Sequence, residues 1–460
     1  MSEAAPISQT AEAAESLPVA EHTRVGSMGR FMLRARSWSF ARNAAVLSIG
    51  TAAAQGFSVV AAPLLTRIYP AQAIGQLALF TSFISVASVG VSLKYELGIV
   101  SAASDLEAAQ LTFASALLSI PVSILSGAAM YLAIRFSWLG FGDVPAYATL
   151  LMIPTLILMG VFTAFRYWAI RHSHFRLISK TTMGQHASRA LSQVGLGLIG
   201  FGPGGLMLGE LIGRATGMAQ IVRDAWSKVR SLLLDTSTLD LRHTLNRNRK
   251  LMMYSLPSTF VDTLVANLPI PLLVNLYGLE AGGYYALVQK VLAAPLGLIA
   301  TSVADTFHSS MAICARDNPY DMIALFKRTS LWLFGIGLVP ALIIAVFGRP
   351  FFGMIFGNQW AIAGTLAAIS APWFITQFIV SPLSRLVFVL RGQEAKLVYD
   401  IVILASMFAA GAISFHSHWS LFKTVWAFSL VNTAAYLIYY LVLLRILVKS
   451  TLQSECGMPR

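Results

Sequence analysis

From about residue 43 to 448 the chain is built of apolar runs separated by short polar connections. A membrane-crossing helix needs roughly 20 mostly apolar residues, and about twelve stretches reach that length. They begin near Asn43, Ile74, Leu111, Tyr147, Thr182, Gly204, Leu251, Tyr284, Leu331, Ala361, Leu397 and Val425. The fifth, 182–202, is the weakest, because it carries Gln185, Arg189 and Gln193. Inside lipid each backbone group must find its partner within the protein, and a helix does this by itself. The pattern therefore predicts an all-α integral membrane protein.

The connections orient these spans. Lys94, the Arg171–Lys180 group, the basic stretch between Arg223 and Lys250, Arg316, Lys327, Arg328, Arg391 and Lys396 fall in alternate loops. The other loops hold little beyond Arg67, Arg135, Arg349 and Lys423. Lys and Arg resist translocation, so the richer set is cytoplasmic and both termini are expected inside. The outer loops are all short, which leaves no room for an outer catalytic domain.

The longest connection, 223–250, is basic, predicted to be partly helical along the membrane surface, and nearly central. It divides the chain into a tail (1–42), a six-span lobe (43–222), the linker (223–250), a second six-span lobe (251–448) and a tail (449–460). The lobes read as repeats: Tyr69-Pro-Ala-Gln-Ala-Ile-Gly75-Gln-Leu-Ala78-Leu79 matches Tyr277-Gly-Leu-Glu-Ala-Gly-Gly283-Tyr-Tyr-Ala286-Leu287 in register. Both copies enter the second span of their lobe. Parallel repeats of this kind place a site between the lobes.

Composition agrees: 56% of residues are hydrophobic and 12% charged, half the charge of a soluble domain. The net charge of +13 follows from loop topology, since no basic block is interleaved with aromatics as in a nucleic-acid surface. Residues 1–27 read as a disordered tail without a signal peptide, and Arg30, Arg34, Arg36 and Arg42 hold it inside. Cys314 and Cys456 are too few for a disulfide framework. The pairs His172/His174 and His416/His418 lack further nearby ligands and read as loop histidines, so no metal or other cofactor is expected. Phosphate-loop, metalloprotease and serine-elbow motifs are absent, which argues against an enzyme.

Polar side chains within the spans carry the candidate chemistry, because a charge in hydrocarbon costs at least ~2.5 kcal/mol and so faces a cavity or a partner. Gln185, Arg189 and Gln193 recur every fourth residue on one face, either a cationic cavity wall or a face packed on a polar neighbour. Glu210 and Arg214 have the spacing of an intrahelical ion pair. Around them Gly205, Gly209, Gly213 and Gly217 form a smooth face for close helix approach. Asp262, which reads as the deepest carboxylate, shares its span with Asn267, Pro257, Pro269 and Pro271, the mark of a broken helix. The next span carries Gln289, Lys290, Pro295, Asp305 and His308. Ser48, Thr51, Gln55 and Ser58 add a polar stripe to the first span.

Three stretches carry a resemblance. Pro63–Pro70 with Ile74–Phe80, the segment Ser92–Val100 with its Lys94-Tyr95-Glu96, and Gly282–Ile299 are similar to the Wzx-type oligosaccharide flippases. These are polysaccharide biosynthesis proteins of the multidrug/oligosaccharidyl-lipid/polysaccharide exporter superfamily. Lys290 stands where that family usually has Arg, which keeps the charge and loses the bidentate fork.

The resemblance, over about 43–448, implies two six-helix lobes around a central cavity that work by alternating access in the bacterial inner membrane. It implies undecaprenyl-diphosphate-linked oligosaccharide as cargo, for O-antigen, exopolysaccharide or capsule. Arg189, Arg214, Lys290 and Arg385 are the candidate cationic contacts. Asp262 and Glu210 are the candidates for coupling to a proton or sodium, and Arg67, Lys94 and Glu96 for gates or interface anchors. Membrane lipid and polysaccharide polymerase or export proteins are the expected partners. A multidrug or metabolite antiporter of the same superfamily is the alternative, followed by a membrane glycan polymerase.

Overall fold

The computed structural model describes residues 49–234, 238–318, 320–390 and 393–455. The expected N-terminal tail, Ser48, Arg391 and Cys456 lie outside them. The first half forms α1 (Ile49–Ile68), α2 (Ala71–Ser88), the short α3 (Glu96–Ser101), α4 (Asp105–Arg135), α5 (Tyr147–Arg171), α6 (Phe175–Leu198) and α7 (Gly202–Ala215). The linker folds as α8 (Met218–Leu233) and α9 (Thr238–Arg247). The second half comprises α10 (Leu256–Asn267), α11 (Pro269–Tyr277), α12 (Leu279–Asp317), α13 (Asp321–Phe356), α14 (Ala361–Leu383), α15 (Leu386–Val389), α16 (Gln393–His416) and α17 (Leu421–Glu455). The last helix thus runs through residues 449–455, which the sequence assigns to a tail.

Nine helical segments among the described residues are long and apolar enough to cross a bilayer. Three expected spans, those of α6, α7 and α12, are not among the nine, the first two for plain physical reasons. α6 has 24 residues but is loaded with polar side chains, and α7 has 14 residues. The expected eighth span is α12, 39 residues long. Span seven is broken as its prolines predict. Pro257 opens α10 and Pro269 opens α11, where a missing N–H costs nothing.

The repeat is visible as a two-fold contact. Gly75 on α2 and Gly283 on α12 meet so closely that a Cβ on Gly75 would lie 2.0 Å from the Leu279 carbonyl oxygen. A Cβ on Gly283 would lie 2.1 Å from the Ala71 carbonyl oxygen. Residue 71 corresponds to 279, and 75 to 283, at the same offset that separates Gln72 from Glu280, 208 positions away. Gln72 Nε2 donates to that Glu280 carboxylate at 3.1 Å, again pairing equivalents. Contacts between equivalent residues occur on a symmetry axis. The axis between the halves therefore passes through the α2–α12 crossing.

Further contacts join the halves at this same end. Trp360 Nε1 and Gln359 Nε2 donate to the Thr66 carbonyl at 3.0 and 3.1 Å, and Arg67 reaches the Ile355 carbonyl at 3.5 Å. Leu79, Phe80, Leu273, Tyr285, Val288 and Trp360 belong to one buried apolar core shared by both halves.

At the opposite end, Ser104 caps α4 by accepting from the Glu107 N–H, while the Glu107 carboxylate accepts from the Ala103 N–H. The pair is a variant of the capping box whose return bond reaches one residue before the N-cap. Asn248 and Thr244 donate to Glu107 and Gln110, which ties α9 to the start of α4. Ile221, Ala225 and Val229 form the buried stripe of the amphipathic α8.

Candidate functional site

The glycine face of α7 determines where the charges sit. A Cβ on Gly209 would fall 2.5 Å from Gln193 Cγ, and one on Gly213 2.6 Å from Arg189 Cβ. Only bare backbone lets α6 approach this closely, and the approach brings Arg189 to Glu210. Gln193 donates to the Leu206 carbonyl at 3.0 Å and Gln185 to the Arg214 carbonyl at 3.3 Å. Both glutamines are buried against α7, so the polar face of α6 serves packing at both flanks and, at Arg189 and Gln193, the cavity as well.

Arg189 Nη1 lies 3.3 and 3.4 Å from the two Glu210 oxygens. Its Nη2 donates to Ser58 Oγ at 2.9 Å and approaches His186 Nδ1 at 3.0 Å. A guanidinium can only donate, so Nδ1 accepts and the imidazole proton belongs on Nε2. Arg214 holds the same carboxylate at 3.1 Å, making the expected i,i+4 pair. Glu210 is 5% exposed between its two partners.

Of these groups Arg189 and Glu210 border a cavity of about 510 Å³ formed by both halves. Gln55, Thr66 and Ser82 come from α1 and α2, Arg189, Gln193 and Glu210 from α6 and α7, and Asn267, Gln289 and Lys290 from α10 and α12. Lys290 makes no hydrogen bond or ion pair with any described residue. The charged residues of its lining are two cations, Arg189 and Lys290, and one carboxylate, Glu210, which leaves one net positive charge; Arg214 holds Glu210 from outside the lining.

The remaining expected residues lie elsewhere. Arg385 is exposed in the turn between α14 and α15 and is not part of the cavity lining. Asp262 is not the deepest carboxylate: its side chain is 59% exposed, because its side of α10 turns from the cavity toward α16. There Lys396 bridges it at 2.9 Å to Asp400 at 2.8 Å. Lys396→Ala is expected to destabilise the protein by about 1–2 kcal/mol, because Asp400 is buried and would lose its counter-ion. Adding Asp400→Asn should restore most of that loss in a thermal melt.

Arg67 bridges the halves at their joined end, while Lys94 and Glu96 stand at the other. Leu93 and Lys94 both have left-handed backbones, with φ of 49° and 64°, and so swing Tyr95 and Glu96 inward. Glu96 is buried, one of its oxygens has no hydrogen-bond partner, and burial pushes its carboxyl above the ordinary range. The neutral acid is thus the form the fold favours. Its contribution is present below the ordinary value of 4.5 and lost as pH rises through the raised one. Glu96→Gln should therefore raise the melting temperature near about pH 8 and leave it unchanged near about pH 4.

Sequence reasoning missed His186, although its i,i+3 spacing from Arg189 was a usable signal. It also placed Lys396 in a loop, whereas Lys396 and Asp400 have the i,i+4 spacing of a pair. His172 and His174 bond to the Trp168 carbonyl and to Asp224. No group of three or more potential metal ligands occurs among the described residues.

A family model described as polysaccharide biosynthesis protein matches residues 64–364. No curated protein sequence matches the chain. Among solved structures it is similar to the lipid II flippase MurJ in an inward closed conformation, with TM-score 0.67 and 14% identity over 89% of this chain and 90% of that one. It is also similar to a MOP superfamily transporter from Pyrococcus furiosus (TM-score 0.60, 13% identity, 89% and 96% coverage). An inward-facing MATE family multidrug resistance transporter aligns with TM-score 0.58 and 14% identity, over 87% of this chain and 96% of that one. At these identities the likeness establishes a shared all-α membrane transporter fold.

Proposed function

The chain belongs to the polysaccharide biosynthesis protein family, and from that membership we propose that it flips undecaprenyl-diphosphate-linked oligosaccharide across the bacterial inner membrane. The observation that carries this reading is the unpaired Lys290 ammonium in a cavity whose lining holds one excess positive charge. A diphosphate headgroup supplies the missing anion, and its polyprenyl tail stays in lipid. The fold is that of transporters, and the reading requires no covalent chemistry. The halves 43–222 and 251–448 are the moving bodies, and the joined α2–α12 end is the closed outer gate of an inward-facing state.

Coupling, by proton or sodium, we assign to Asp262 rather than Glu210. Asp262 is exposed enough for an ion to reach it, whereas two guanidiniums enclose Glu210. The rival antiporter of cationic drugs or metabolites fits less well, because its cargo would meet a positive cavity. Deleting the protein should trap lipid-linked repeat units on the cytoplasmic leaflet, measured by their resistance to an outer-leaflet glycosidase. Normal outward delivery, with no redundant carrier, would refute the assignment.

A further inference from the structure

The two guanidiniums on Glu210 are not equivalent. Arg214 comes from the same helix and reaches it through both Nε and Nη2, at 3.1 Å each. Arg189 comes from the neighbouring helix, and its 3.3 and 3.4 Å contacts exceed the 2.7–2.9 Å of a strong charge-assisted bond. Its other nitrogen is already engaged by Ser58 and His186. Glu210 can therefore release Arg189 without becoming a bare buried charge, because Arg214 stays with it. Across the cavity Lys290 has no such internal anion.

We propose that Glu210 is a built-in competitor for the cargo's diphosphate: it occupies Arg189 in the empty carrier, yields it to the entering headgroup, and takes it back on release. This rests on the flippase reading above. A carboxylate offers one charge and two oxygens. A diphosphate offers more of both, so it displaces Glu210, while a monoanionic group does not. Selectivity for diphosphate over singly charged lipids and ease of release then share one cause. Glu210 acts on the cargo through Arg189, as a positioning residue.

The test uses the full chain in nanodiscs, with farnesyl diphosphate and the singly charged diester farnesyl methyl phosphate as probes and melting temperature as the check on folding. Glu210→Gln should bind the diphosphate about tenfold more tightly, a change of about 1.4 kcal/mol, and should narrow its preference over the monoanionic diester. Arg214→Gln, which leaves Glu210 wholly dependent on Arg189, should bind about tenfold more weakly. Unchanged or weaker diphosphate binding by a folded Glu210→Gln would overturn the proposal. If that variant does not fold, Glu210→Gln/Arg214→Gln decides: it should bind more tightly than Arg214→Gln alone, and equal affinity would overturn the proposal. A Lys290→Met control separates the two readings. Undiminished diphosphate binding by Lys290→Met sinks the flippase reading and the competitor with it, whereas lost binding there with no gain in Glu210→Gln sinks the competitor alone.

Discussion

Alanine at Gly75 or Gly283 is expected to destabilise the protein by about 3 kcal/mol or more, at or beyond the upper end of overpacking costs. The added methyl would sit 2.0 or 2.1 Å from a backbone carbonyl oxygen. No rotamer change can relieve a clash with backbone, so the two helices must separate. That separation would also open the core holding Tyr285 and Trp360 and loosen the bonds to the Thr66 carbonyl. The two substitutions should cost nearly the same, because each glycine meets the symmetry equivalent of the other's neighbour. Gly335→Ala is the control, with nothing within 4 Å of its added Cβ. Thermal melts of the three variants check this: two large, matched losses beside no loss. A mild or strongly unequal pair would remove the axis from the α2–α12 crossing.

Lys290→Met should reduce transport at least about 100-fold while leaving the melting temperature unchanged or raised. Methionine keeps the length and flexibility of lysine but removes the charge. The ammonium has no partner to lose, and an unpaired charge in a low-dielectric site opposes folding. Function and stability should thus move in opposite directions, which a structural lysine would not show. Lys290→Arg, which keeps the charge, should retain most of the activity. A melting temperature that falls together with transport in Lys290→Met would mark the residue as structural.

How much of this was legible in the sequence depended on the kind of signal. The helical membrane fold followed from run lengths, and the two-fold axis from five matching positions, with the shared glycines lying on it. Arg189, Glu210, Arg214 and Lys290 stood out because charge within an apolar run needs a partner or a cavity. For Arg385 and Asp262 the same logic left the direction open, since position along a span says nothing of which way the helix face turns. Asp262 lies within its span, yet its face meets Lys396 on another helix. Lys396 was hidden because hydropathy begins the span at Leu397, although the helix begins at Gln393. The role of the α7 glycines was legible as close packing, but not that the helix they admit would be the one bearing Arg189.

The most direct measurement compares two cargoes in proteoliposomes holding the purified protein. One is a fluorescent polyprenyl-diphosphate oligosaccharide, and the other carries the same sugar on an uncharged polyprenol, each followed by quenching of the outer leaflet. The positive cavity predicts rapid movement of the diphosphate lipid and none of the neutral one above protein-free vesicles. Equal movement of both, or movement of the neutral lipid alone, would contradict it.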